Sequence, residues 1–272
     1  MDDNKTDRDR RGIQSVEVGG QLLRALAHSG RPMALKDLAR EAGMPAAKAH
    51  PYLVSFGKIG LIEQDEASGR YGLGPLALQL GLISLQQADP VRLATPLIAD
   101  LAQRVGHTMA IAVWGSRGPT IVRIEESPAA VHVTMRHGTV ESIVNTASGR
   151  LFAAFLPVEK VRATLEDERS RERPGLVQPG MPPTPALPTW KDFEPQLAEV
   201  RARGLSRSEG AVIHGVSAMA APVFDHGGAM VMAVTAIGPS GSFDARWDGV
   251  LARALLECAQ AISQRLGAQA AA

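Results

Sequence analysis

The stretch Ala42–Pro75, AGMPAAKAHPYLVSFGKIGLIEQDEASGRYGLGP, decides how this chain is read. Its first half continues a helical pattern to Gly60. Its second half holds two short strand-like runs, LIEQD and RYGL, separated by EASG, which is polar and glycine-ended as a hairpin tip should be. Immediately upstream, ALKDLAREAG puts Leu35, Leu38, Ala39 and Ala42 on one helical face, with Gly43 as the stop. Helix, tight glycine-containing turn and helix is the helix-turn-helix pattern. A further helix, with Ser15 as N-cap and its end near Ser29–Gly30, brings Val16, Leu22, Leu23 and Leu26. Three helices and a hairpin predict a winged helix over residues 12–74. Gly19 and Gly20 inside the first helix cost about 1 kcal/mol each relative to alanine, so packing or a dimer contact must supply the difference.

Outward from this stretch, the 272 residues leave room for a second core, because single domains run roughly 100–200 residues. A net charge of +1 with no long charged tail means that charge alone selects no partner. Residues 1–11 are a mixed-charge run without an apolar segment and read as a disordered arm, not as a signal peptide. The most apolar run, Ala229–Gly238, is far short of the roughly 20 residues needed to span a bilayer, so a cytoplasmic protein is expected. A single cysteine, Cys258, sits in a helical pattern and reads as a packed core thiol.

Residues 75–89 read as a linker helix, ended where Pro90 interrupts the helical pattern. Residues 90–268 alternate strand and helix signals. Strands are expected at Thr108–Gly115, Pro119–Glu126, Val131–His137, Ala218–Asp225 and Ala229–Gly238, with DHGG turning between the last two. Helices are expected at Gly149–Leu156, Glu159–Arg169, Trp190–Arg203 and Asp244–Leu266, and the proline-rich run Arg173–Thr189 as a surface loop. The fold class is therefore α+β, with an antiparallel sheet carrying helices on one face.

Several segments together resemble the IclR-type transcriptional regulators of bacteria. They are IQSVE, LKDLAREAGMPAAKAHPYL and GRYGLGP in the N-terminal part, and NTASGRLFAAFLP, EVRARGLSRSEGAVIHGVSAMAAPVFD and AVTAIGP in the C-terminal part. The resemblance covers nearly the whole chain after the arm. It implies a winged helix-turn-helix joined by the linker helix to a GAF-like effector-binding domain. It also implies a homodimer or dimer of dimers, acting as repressor or activator on palindromic promoter DNA under control of a small metabolite, without cofactor or membrane.

The reading helix departs from the family pattern at Pro51. A helix begun at Pro45 would lose one backbone bond at Pro51 and press its ring on the Ala47 carbonyl, at roughly 3 kcal/mol. A regular helix starting at Pro51 avoids this, since the missing N–H is then unpaired anyway, and leaves PAAKAH as an irregular lead-in. Lys48, His50 and Tyr52 remain as DNA contacts, with Ala46, Ala47 and Ala49 offering apolar approach to thymine methyls. Lys36, Arg70 on the wing, and Arg10 and Arg11 on the arm complete the expected DNA-contacting set. From Arg10 to Gly74, nine cations face six anions, a modest positive bias.

For the effector, the resemblance points to Ala147 and Ser148 at the turn opening the helix near Gly149, to Ser208, to Val216 and Ala218, and to Thr235 and Ile237. A helix N-terminus beside small residues suits an anion, with Arg150 adding charge. Ala218 and Ile237 stand where polar residues are frequent in members that bind small keto acids, which suggests a larger or more apolar organic acid, an aromatic one included. Met135, His137 and His214 are further candidates for the wall. No GxSxG, P-loop, GxGxxG or HExxH motif is present, which argues against an enzyme. The remaining rival is a ligand-sensing oligomeric partner without specific DNA contacts.

Overall fold

The computed structural model describes residues 12–130, 132–171 and 186–268. They form two compact units that part between Ala88 and Asp89. The first holds α1 (Gln14–Ser29), α2 (Leu35–Glu41), α3 (Ala46–Lys58), the hairpin β1 (Ile62–Gln64) and β2 (Tyr71–Leu73), and α4 (Pro75–Gln87). Leu22 and Leu26 of α1, Leu38 of α2, Ala49 and Leu53 of α3, Ile62 and Tyr71 make its core. Backbone bonds between Met33 and Tyr71 attach the segment before α2 to the hairpin, completing the wing.

Two local expectations change. α1 begins at Gln14 after Ile13, with no side-chain cap, so Ser15 lies inside the helix. α3 is regular from Ala46 and runs through Pro51, instead of starting there. Three features account for this. Ala49 and Leu53, one helical turn apart, are both buried, and only helical geometry brings them to the same face. The Pro45 carbonyl accepts from the N–H groups of Lys48 and Ala49 at 3.0 Å each, which starts the helix. Ala47 and Pro51 lie on the exposed side, where water can satisfy the carbonyl that Pro51 leaves free. Core packing thus outweighs the proline penalty.

The second unit comprises α5 (Pro90–Val105), β3 (Thr108–Gly115), β4 (Gly118–Glu125), α6 (Ala147–Phe155), α7 (Val158–Arg171), α8 (Trp190–Arg203), β5 (Ser206–Glu209), β6 (Val216–Phe224), β7 (Met230–Pro239) and α9 (Val250–Arg265). Asp89 caps α5 by accepting from the Arg92 N–H at 3.0 Å, with Pro90 at the first helical position. The five strands form one antiparallel sheet in the order β4-β3-β7-β6-β5. The turn from Asp225 to Ala229 joins β6 to β7 as expected, held by Asp225 Oδ1 accepting from the N–H groups of Gly227 and Ala229.

Helices cover both faces of this sheet, not one. Met109 and Ile111 of β3 and Val234 and Ala236 of β7 pack with Ile98 and Leu101 of α5 and Leu255 and Ile262 of α9. Ala112, Ala220 and Ala233 on the opposite face meet Phe152 of α6 and Phe193 and Leu197 of α8. The alternation that signals one buried face is replaced in β7 by nearly continuous burial, which demands a layer on each side.

The expected strand at Val131–His137 does not form over its described residues, 132–137. Its apolar alternation has a different use. Val133 and Met135 turn toward a cavity instead of toward a paired strand. The proline-rich run lies outside the described residues up to residue 185.

Candidate functional site

Two features of the fold concern function: the outward side of α3 with its wing, and a cavity in the second unit. On α3, Ala47, Pro51, Val54 and Lys58 are spaced by four, three and four residues, and all are exposed. They form one ridge opposite the buried pair Ala49 and Leu53. Lys48 and His50 flank this ridge and are also exposed. Ala49 is 0% exposed and cannot reach a base, which removes it from the expected DNA-contacting residues. Ala46 and Tyr52 are half-buried and pack on the core of this unit. Val54 and Pro51 itself were not expected on this surface, and the helical register supplies them.

Lys36 is exposed on α2, and Arg70 is exposed at the base of the wing tip, with its guanidinium donating to the Pro32 carbonyl at 3.4 Å. The tip is ordered by Asp65, whose carboxylate accepts from the Ser68 N–H at 2.8 Å and from the Ser68 hydroxyl. Those bonds hold the Asp65 carboxyl below its ordinary range. Arg10 and Arg11 lie outside the described residues.

The cavity has a volume of about 490 Å³ and is built on one face of the sheet. Strand period two fixes its floor. Ser208 of β5 pairs with Ala218 of β6, which pairs with Ile237 of β7, so the three lie side by side. Thr235 and Val216, two residues along their strands, share the same face. The segment before α6 forms the opposite wall through Glu141, Ser142, Asn145 and Thr146, with Val133 and Met135 beside it. Ala211, Val212 and Ile213, between β5 and β6, border it from the other end.

α6 points its N-terminus into this space. Thr146 is its N-cap, accepting from the Gly149 N–H at 2.9 Å, so the helix opens at Ala147, two residues before the expected start. Gly149 is required by a close approach instead. A Cβ there would lie 2.0 Å from the Ser142 carbonyl oxygen and 2.7 Å from Ile143 Cα. Ala147 and Ser148 line the cavity as the first residues of the helix.

Three polar groups set its chemistry. Thr235 is 2% exposed and its hydroxyl has no partner among the described residues. Ser208 donates to the Asn145 carbonyl at 2.7 Å, tying β5 to the wall. Glu141 Oε2 is enclosed and, among the described residues, unpartnered. Burial pushes this carboxyl from 4.5 up to about 7, against an interaction with the Ser148 hydroxyl that lowers it.

Met135, Ala147, Ser148, Ser208, Val216, Ala218, Thr235 and Ile237 are therefore together on the cavity wall. Arg150 is not. Its guanidinium donates to the carbonyls of Val144 at 2.5 Å and Arg207 at 3.0 Å, fastening α6 to β5. Burial lowers its pKa, and its role is in the frame of the site. His214 is exposed beside Ile213 and, with His137, contributes nothing to the wall. Glu141 and Asn145 were missed by sequence reasoning. The cluster TVESIVNT does signal a capped helix start, but nothing in it separates Glu141 from a solvated glutamate.

Among the described residues no group of His, Cys, Asp or Glu is arranged to hold a metal, and no helix is long and apolar enough to cross a membrane.

A winged helix-turn-helix in one unit and a ligand-sized cavity in the other define a class, the two-unit DNA-binding transcriptional regulators. Family models agree on both units: one described as "IclR helix-turn-helix domain" matches residues 15–66, and "Bacterial transcriptional regulator IclR C-terminal" matches residues 83–264. The chain belongs to the IclR family of bacterial transcriptional regulators. The glycerol operon regulatory proteins of Streptomyces coelicolor and Streptomyces griseus are 30% and 33% identical to it over 263 residues, 95% of this chain and 98% of each relative. The crystal structure of Pseudomonas aeruginosa HmgR covers 95% of this chain and 100% of its own, with 35% identity and a TM-score of 0.83. The two Streptomyces relatives are named as regulators and not as enzymes.

Proposed function

We propose that this regulator binds promoter DNA through the exposed side of α3 and the wing, and releases or engages it in response to an organic acid held in the cavity of its second unit. The cavity carries this reading. It joins a helix N-terminus, which favours negative charge, to a buried hydroxyl without a partner among the described residues, and sets an apolar side opposite the polar wall of Glu141, Ser142 and Asn145. Val133, Met135, Val216, Ala218 and Ile237 offer no partners to a polyol, whose every hydroxyl would need one. They suit an acid with an apolar body larger than that of a two- or three-carbon keto acid, such as an aromatic acid.

A homodimer or dimer of dimers on a palindromic site fits the exposed α4. Leu78, Leu80, Leu82, Ile83 and Leu85 are all exposed in the single chain, and none of the helix is buried. A helix apolar all round needs cover, and a second copy of the chain supplies it. The names of the Streptomyces relatives support a catabolic operon as the target, and the setting is the cytoplasm.

Fluorescence anisotropy of the purified protein on labelled duplexes from its own upstream region, against scrambled DNA across salt, tests the DNA half. Specific binding about 10³-fold or more above scrambled, weakening steeply with salt, is expected. Calorimetry with benzoate, phenylacetate, pyruvate, glyoxylate and glycerol tests the sensing half. Tighter binding of the aromatic acids is expected. Tight binding of pyruvate or glyoxylate without either aromatic acid would overturn the assigned acid class.

A further inference from the structure

We propose that Glu141 meets the effector as a neutral carboxylic acid and donates its proton in a hydrogen bond to the effector's carboxylate, so that anion and proton enter the cavity together. This rests on the reading of the cavity as an organic-acid site and adds its selectivity and its pH response.

The geometry leads to it in three steps. Glu141 and the first turn of α6, through Ala147 and Ser148, line the same cavity, so a carboxylate drawn to the helix N-terminus shares the cavity with the glutamate. Two negative charges enclosed together repel, and paired carboxyls resolve this by sharing a proton. Oε2 of Glu141 is enclosed without a partner among the described residues, so a rotation of the side chain that brings its carboxyl to the effector breaks no hydrogen bond of that oxygen.

The surrounding charges do not offer another solution. A neighbouring cleft shares Glu141 and contains Arg117 of the β3–β4 turn and Asp167, Glu168 and Arg171 of α7. There Asp167 is paired with Arg171, and Glu168 accepts from the Ile143 N–H at 3.0 Å. Arg136 lines the cavity but is exposed, and the Arg150 guanidinium is committed to two backbone carbonyls. Two cations and two anions in the neighbouring cleft leave little net field, and burial sets the Glu141 proton. The resulting value, about 7, places the change of state inside the range in which a bacterial regulator works.

The linkage has a definite sign. A free carboxyl titrating near 7 that is held protonated by a bound anion makes binding full below that pH and weaker above it. An effector ionised throughout then loses about tenfold in affinity from pH 6 to pH 8. Proton uptake on binding rises over the same interval from near zero toward one per effector.

The test is titration calorimetry of the full chain with benzoate and phenylacetate, in phosphate and in imidazole, at pH 6, 7 and 8. The difference in heat between the buffers counts protons. The wild-type protein is expected to take up about 0.1 proton at pH 6 and about 0.9 at pH 8. Glu141→Gln, an amide that donates without titrating, is expected to show no proton uptake and no pH slope at all. Binding of either acid without uptake at pH 8 overturns the proton-coupled role while leaving the cavity reading intact, and needs no variant. An unchanged slope in E141Q overturns it as well. Failure of both acids to bind at any pH removes the aromatic-acid reading and this inference with it.

Discussion

Gly19 of α1 sits against Phe56 of α3 so closely that a Cβ on Gly19 would lie 2.8 Å from Phe56 Cζ and 3.1 Å from Tyr52 Cδ1. Its neighbour Gly20 would place a Cβ within 4 Å of nothing. The two glycines therefore have opposite consequences. Gly19→Ala overpacks the crossing of α1 and α3 and is expected to destabilise the first unit by about 1–3 kcal/mol. Gly20→Ala removes backbone freedom from the unfolded chain and is expected to stabilise it by roughly 0.5–1 kcal/mol. Urea unfolding at one fixed protein concentration reads both, and equal signs for the two variants would contradict this packing of α1 on α3.

Pro51 sits at the centre of the exposed ridge Ala47–Pro51–Val54, with Val54 44% exposed. Apolar groups at a groove read thymine methyls. Replacing thymine by deoxyuridine at single positions of the bound duplex is expected to weaken binding by about 0.5–1 kcal/mol at contacted steps, the scale of one buried methyl group. Pro51→Ala restores the backbone bond to Ala47 and is expected to raise stability by about 1–3 kcal/mol while altering which thymines matter. Pro51→Arg is expected to bind every duplex more tightly, with the salt slope steeper by about one.

Much of the fold was legible because local signals agreed with packing. The α2–α3 turn, the wing, the helix break at Pro90 and the Asp225–Ala229 hairpin each have their own residue chemistry. Pro51 misled because the propensity rule speaks of one backbone bond, whereas Ala49 and Leu53 commit two buried positions to helical register. Val133 and Met135 misled for a related reason. Alternation reports one-sided burial and does not say whether the buried side faces a strand or a cavity. Ser208, Ala218, Thr235 and Ile237 were named through the family resemblance alone, and the pairing that sets them side by side includes a strand, β5, that the local pattern did not signal. Glu141 was not legible, since its enclosure depends on the course of the chain between β4 and α6.

α4 yields a prediction about assembly. Leu78 and Leu82 are one helical turn apart and both more than half exposed, so the proposed pairing with a second copy would bury this face. The double variant Leu78→Asp, Leu82→Asp places two charges on that face. It is expected to shift the protein toward monomer by at least tenfold in dissociation constant, read by sedimentation equilibrium. Binding of the upstream duplex should weaken in parallel, because paired half-sites need paired reading helices. An unchanged assembly state would place the interface elsewhere.

Glu141 makes stability depend on pH before any effector is added. Its carboxyl ionises near 4.5 when the chain is unfolded and near 7 when folded, so the folded state holds the proton more tightly. Stability from this group is full below pH 4.5, declines as pH rises, and is lost through pH 7 as the folded carboxyl ionises in its enclosed position. Glu141→Gln removes the titration and nearly preserves the size and shape of the side chain. The variant is expected to gain on the order of 2–3 kcal/mol over the wild-type protein between pH 4.5 and pH 8. Because the amide and the acid fill the same volume, a difference that grows with pH isolates the charge from the packing. Thermal unfolding of both proteins across that range measures it. Parallel curves would mean that Oε2 finds a partner in solution, and the enclosed carboxyl would then be available to an effector in its ionised form.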